Sequence, residues 1–212
     1  NRHDILERMR ICSLEHESFE DLGLIADWIK ERGHTLHVTH LFNKNPLPDL
    51  YDFDAIIIMG GGMGVYDDKR YPWLVQEKYF LTKAIQQKKG LLGICLGAQL
   101  LSIVMGGVVT KNKYSEVGWF AVTPTVTPSR LFSDIPDPFI VFQWHGDTFS
   151  IPDGSHATFT SPVCQNQAFE SNDGTIVGFQ FHLETGPSNI RRLIDGASQD
   201  LVPGSYIQSP EA

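Results

Sequence analysis

Short apolar runs alternate with amphipathic stretches through the first half of the chain. Positions 9–14 read as a strand, 22–32 as a helix closed by Gly33, 35–41 as a second strand and 55–59 as a third. Ile56-Ile57-Ile58-Met59 is apolar at every position, the pattern of a parallel strand covered on both faces. A helical stretch over 73–88 leads into a further buried strand at 90–94. Beyond it, Leu96, Leu100, Ile103 and Val104 recur at helical spacing until Gly106-Gly107. This succession predicts βαβ units and an α/β fold, a doubly wound, mostly parallel sheet flanked by helices. After Gly107, shorter runs at 118–123, 139–143, 167–170 and 175–181, separated by Pro and Gly, predict β-hairpin additions to that sheet. Ser209-Pro210-Glu211 has the form of a helix start, with serine as N-cap and proline at the first position. Neither an internal repeat nor a low-complexity linker divides the chain, so one domain over 1–212 is expected.

Composition narrows the function classes. With 212 residues, 42% hydrophobic and 20% charged, the chain can bury one sizeable core. A net charge of −8 offers no basic stripe to displace counterions from nucleic acid, and no nucleic-acid partner is expected. The cysteines Cys12, Cys95 and Cys164 are odd in number and widely spaced, which indicates neither a disulfide framework nor a zinc site. No apolar stretch approaches the roughly 18 residues needed to cross a bilayer. A soluble protein of the reducing cytoplasm, without membrane attachment, is the expectation.

The segment Gly93-Ile94-Cys95-Leu96-Gly97-Ala98-Gln99 lies where strand gives way to helix. A cysteine on such an elbow is displayed at the end of a strand, and flanking glycines permit the tight backbone. The helix N-terminus presents unpaired N–H groups to the sulfur, which favours thiolate and leaves a donor for an oxyanion. A buried core cysteine would have the same composition, so the rest of the chain must decide.

A thiolate nucleophile needs an imidazole, and the imidazole a group to orient it. His34, His37 and His40 fall on a predicted strand with His37 facing opposite to the other two, and read as ordinary sheet or surface residues. In Gly178-Phe179-Gln180-Phe181-His182-Leu183-Glu184, strand alternation puts His182 and Glu184 on one side, two residues apart. Gly60-Gly61-Gly62 follows the third strand, at the carboxyl end where open α/β sheets place ligands and where glycines let amides turn toward an anion. A dinucleotide fingerprint fails, because Val65 stands where the third glycine would be.

Together these segments resemble the class I glutamine amidotransferase family. The resemblance extends through Met59-Gly60-Gly61-Gly62-Met63-Gly64-Val65-Tyr66, Tyr71-Pro72-Trp73-Leu74, Glu116-Val117-Gly118-Trp119 and Trp144-His145-Gly146-Asp147-Thr148-Phe149. It is strongest to the stand-alone, GMP-synthetase-like branch that includes plant γ-glutamyl peptidases. Leu183 departs from the proline that many relatives carry between His and Glu.

The resemblance implies a flavodoxin-like sheet and a Cys95-His182-Glu184 triad hydrolysing the γ-amide of glutamine, or of a γ-glutamyl compound, through a γ-glutamyl thioester. It implies oxyanion and substrate contacts from Gly60, Gly61, Leu96, Gln99 and His145, with Asp147 beside the last. It calls for no metal and no organic cofactor. The substrate is a small molecule, and an ammonia-acceptor protein is a possible partner. The leaving group, ammonia or an amino acid or peptide, is left open, as is a non-catalytic binding or regulatory protein on the same fold. Retention of Cys95, His182 and Glu184 together counts against the latter.

Overall fold

The computed structural model describes residues 8–125, 129, 131–132 and 134–210. Nine strands form one sheet in the order β2-β1-β3-β4-β9-β8-β7-β5-β6. Its first half is parallel: β1 (Arg10–Glu15) lies between β2 (Thr35–His40) and β3 (Ala55–Ile58), followed by β4 (Gly90–Ile94) and β9 (Ile176–Phe179). That order is the flavodoxin-like arrangement, in which ligands gather at the carboxyl ends of the strands beside the point where the winding reverses.

Alternation along the strands builds a core on each face. Cys12, Leu14, Ile56 and Ile58 pack against α2 (Trp73–Gln86) and α3 (Leu96–Val104) through Leu74, Leu81, Ala98 and Leu101. Ile11, Ile57 and Met59 face the other way, toward α1 (Leu24–Glu31), with Leu22 and Ile29. Consecutive apolar residues in β3 are therefore needed, since both faces are covered.

The second half is more extensively antiparallel than the short runs predict. β5 (Val109–Pro124) and β6 (Phe139–Phe149) form a long pair with a register shift between Lys111 and Glu116. β7 (Ser155–Thr160) and β8 (Ala168–Ser171) connect them to β9. The polar parts of β5 and β6, such as Thr110-Lys111 and Asp147-Thr148, have no apolar alternation; pairing with each other holds them in the ladder. α4 (Pro187–Gly196), not foreseen, covers Val117, Phe142 and Trp144 with Leu193. Its signal is Pro187 at the first helical position, with the Asn189 side chain accepting from the Gly186 N–H at 3.1 Å. The helix start expected at Ser209-Pro210-Glu211 runs beyond the described residues.

Candidate active site

The carboxyl ends of β1, β3, β4 and β9 converge on Cys95. This residue joins β4 to α3 with φ 51° and ψ −105°, a left-side conformation that costs a non-glycine residue about 1–3 kcal/mol and persists only where the surroundings impose it. The constraint is visible on both sides. A Cβ on Gly97 would lie 2.0 Å from the Ile58 carbonyl oxygen, and one on Gly93 would lie 2.5 Å from the Gly97 carbonyl carbon. Helix and strand can meet this closely only with glycine at both positions. The Cys95 N–H donates to Phe179 O at 2.7 Å, tying the elbow to β9. Cys95 is 8% exposed, with Sγ 3.6 Å from Trp144 O and 3.7 Å from Gln180 Nε2.

His182 and Glu184 are brought together, though not by strand alternation. β9 ends at Phe179 and the chain bends; Gln180 N still donates to Gln167 O beside β8, and His182 N donates to Phe142 O in an isolated antiparallel bridge to β6, each at 2.8 Å. His182 Nδ1 lies 2.7 Å from Glu184 Oε1, the two side chains being 2% and 3% exposed. Its Nε2 has no hydrogen-bond partner among the described residues. Burial pushes the imidazole toward neutrality, but the Glu184 carboxylate and the Cys95 side chain outweigh it, leaving its pKa well above the usual histidine value. The Glu184 carbonyl accepts from Leu24 N at 2.8 Å, so the same residue anchors the start of α1.

The glycine loop after β3 closes a third side. A Cβ on Gly60 would be 3.4 Å from His182 Cε1, and one on Gly61 would be 3.0 Å from Leu96 Cδ2. Among the described residues nothing accepts a hydrogen bond from the Gly61 or Leu96 N–H. Leu96 directly follows Cys95, and the Gly61 position lies against the Leu96 side chain. Gln99, 5% exposed, meets the triad through its backbone, the N–H donating to the Cys95 carbonyl at 3.1 Å; its side-chain Nε2 donates to Gln180 Oε1 at 3.2 Å, and Gln180 is the side chain that reaches Cys95 Sγ.

His145 is placed differently from the other sequence-selected residues. Its Nδ1 lies 2.8 Å from Asp147 O and its Nε2 3.1 Å from Glu116 Oε2, so both ring nitrogens are engaged away from Cys95, His182 and Glu184. Glu116, His145 and Cys164 form the described cluster whose ligand atoms, within 4.8 Å of one another, could hold a metal ion. The protein itself already engages that cluster: Gln167 Nε2 donates to Glu116 at 2.9 Å and Thr148 Oγ1 lies 3.3 Å from Cys164 Sγ. His34, His37 and His40 go to separate neighbours, Trp28, Phe53 and Glu15.

Three acidic or basic side chains next to the site escaped the sequence reading. His16 and Glu77 form a fully buried pair behind the glycine loop, and Glu20 lies against Gly60. Burial pushes the Glu20 carboxyl up to about 7, an effect reinforced by Glu184 and opposed by His182. The available signal was position: His16 directly follows β1, at the same sheet end as Gly60, Cys95 and His182.

Residues 21–194 match the family model described as glutamine amidotransferase class-I. The chain belongs to that family. A glutamine amidotransferase from Thermotoga maritima of known structure is 34% identical, with a TM-score of 0.86 over 92% of this chain and 84% of that one. A glutamine amidotransferase from Methylobacillus flagellatus is 29% identical, with a TM-score of 0.89 over 96% and 84%. The glutamine amidotransferase-like protein YfeJ of Salmonella typhimurium is 28% identical over 92% of this chain and 83% of its own length. The glutamine-hydrolysing GMP synthase of Listeria innocua is 33% identical over 85% of this chain, which spans only 33% of that enzyme. Family membership carries glutamine amide hydrolysis or transfer as the general chemistry, on a large mixed sheet flanked by helices. No helix among the described residues is long and apolar enough to cross a membrane.

Proposed function

We propose that the chain hydrolyses the γ-amide of glutamine or of a γ-glutamyl compound through a γ-glutamyl thioester on Cys95. The observation that carries this reading is the His182–Glu184 pair: Nδ1 is fixed at 2.7 Å by the carboxylate while Nε2 is left without a partner beside the elbow thiol. The raised proton affinity of His182 lets Nε2 hold the thiol proton, so that Cys95 Sγ attacks the γ-carbonyl carbon as the C=O π pair moves onto oxygen. The developing oxyanion is met by the Leu96 and Gly61 N–H groups, whose value lies in being aimed before charge develops. His182 then gives the proton to the departing nitrogen as the C–N bond breaks. Water adds to the thioester with His182 as base, the C–S bond breaks, and glutamate and the thiol are released. Gln99 and Gln180 supply amide groups for the glutamyl end. No step calls for a metal or organic cofactor, and the substrate is a small molecule.

The likeness to one third of a GMP synthase supports a second arrangement, in which the ammonia passes to an acceptor protein. Purified protein incubated with L-glutamine, glutathione and γ-glutamyl-p-nitroanilide separates the cases. Ammonia from glutamine or amine from the other two is expected, and is abolished in Cys95→Ala. Activity that persists in Cys95→Ala, or a wild-type chain inert toward all three with and without an acceptor, rejects the reading.

A further inference from the structure

We propose that the buried His16–Glu77 pair is a positioning device that turns the Gly60–Gly61 peptide so that its N–H is presented as an oxyanion donor. This rests on the reading of Gly61 given above, and extends it to residues on two other elements.

The carbonyl of Gly60 lies 3.0 Å from His16 Nδ1, and Nε2 of the same ring lies 2.9 Å from Glu77 Oε1. A carbonyl only accepts, so Nδ1 carries a proton. The carboxylate on the opposite nitrogen favours a proton there too, which makes the ring an imidazolium donating at both ends. The raised proton affinity of His16 agrees: burial lowers it, and Glu77, the Gly60 carbonyl and Glu20 together outweigh that. In a trans peptide the C=O and the following N–H point in opposite directions. Fastening Gly60 O toward His16 therefore turns Gly61 N–H away from His16. On its other sides the loop meets the carboxylates of Glu20 at Gly60 and Glu17 at Gly62, together with His182, Met63 and Leu96, whose own N–H is free.

The setting is rigid. His16 and Glu77 side chains are fully buried, and the His16 ring stacks on Trp73 at 5.5 Å. Met63 Sδ and His16 Cβ stand 2.6 and 2.9 Å from where a Gly61 Cβ would be, so a side chain at 61 would press on both. The arrangement is costly. Glu77 Oε2 has no partner among the described residues, and a buried ion pair commonly contributes less stability than apolar side chains of the same volume. Retaining it behind a triglycine turn is accounted for by orientation: glycines impose almost no direction of their own, and something outside the loop must supply it.

The test compares His16→Ala and His16→Asn with wild type, using L-glutamine or γ-glutamyl-p-nitroanilide for turnover and iodoacetamide for thiol reactivity. Alkylation by iodoacetamide forms no oxyanion. His16→Ala is expected to lower kcat on the order of a hundredfold, in the range seen for loss of an oxyanion donor. KM and the alkylation rate of Cys95 should change less than twofold. His16→Asn, whose amide can still donate to Gly60 O, should recover at least tenfold of the loss. An unchanged kcat in His16→Ala overturns the proposal, as does a parallel loss of kcat and alkylation that asparagine does not restore. A crystal structure of His16→Ala gives a readout independent of turnover. A rotated 60–61 peptide supports the positioning role even if wild type cleaves no γ-glutamyl bond; an unrotated one overturns it.

Discussion

His182 Nδ1 and Glu184 Oε1 are 2.7 Å apart in a site that leaves both side chains almost wholly buried. The proton shared there is worth stability as well as chemistry. Because the folded imidazole holds its proton more tightly than the unfolded one, the contribution is complete below the ordinary histidine pKa of about 6.5 and is lost as pH rises through the raised folded value. Glu184→Gln should therefore lower Tm more at pH 6 than at pH 10. Calorimetry at both values checks this; an equal drop at each would mean that the pair's charge contributes nothing.

The three thiols should differ in reactivity. Cys12 is fully buried and its thiol is pushed up to about 11, and burial also raises Cys164. Cys95 stands at the elbow beside His182, so iodoacetamide at neutral pH is expected to modify it first. Peptide mapping of the native protein reads the order, and earlier labelling of Cys164 would contradict it.

Turnover in the triad variants should follow their roles. His182→Ala is expected to be nearly as damaging as Cys95→Ala, since the members act as a unit, while Glu184→Gln should leave more activity because the orienting carboxylate matters least. Steady-state rates on the best γ-glutamyl substrate give the ranking; an active His182→Ala beside an inactive Glu184→Gln would reverse the assigned roles.

Glu20 offers a test with the opposite experimental sign. Its folded carboxyl ionises near 7, against about 4.5 unfolded, so the folded state loses stability between those values as pH rises. Glu20→Gln should raise Tm relative to wild type at pH 8 and make no difference at pH 4. Thermal melts at both values decide; stabilisation at pH 4 alone would contradict the direction.

Gly97→Ala should destabilise by about 1–3 kcal/mol or more, because the new Cβ meets backbone, the Ile58 carbonyl 2.0 Å away, and no side chain can yield. Denaturant unfolding measures it, with Gly106→Ala, where no atom lies within 4 Å of the added carbon but φ is 90°, as the comparison for backbone strain alone.

Much of the molecule was legible from local pattern. Unbroken apolar residues in 56–59 marked a strand covered on both faces, and Gly93, Cys95 and Gly97 marked an elbow, because these depend on contacts between near neighbours or on backbone geometry that few residues tolerate. His182 and Glu184 were legible as a pair for a reason that turned out different: their spacing brings them together past a bend after β9, where an isolated antiparallel bridge to Phe142 holds His182, instead of along a continuous strand. What only the tertiary structure decided is what lies far apart in sequence. His16 and Glu77 are 61 positions from each other, and neither has a local pattern that names its partner; β1 and α2 bring them together because both pack around the same core. The same holds for the polar stretches of β5 and β6, which become strand by pairing with each other, and for Glu20. Its raised proton affinity is a property of burial beside His182 and Glu184, which no composition or spacing encodes.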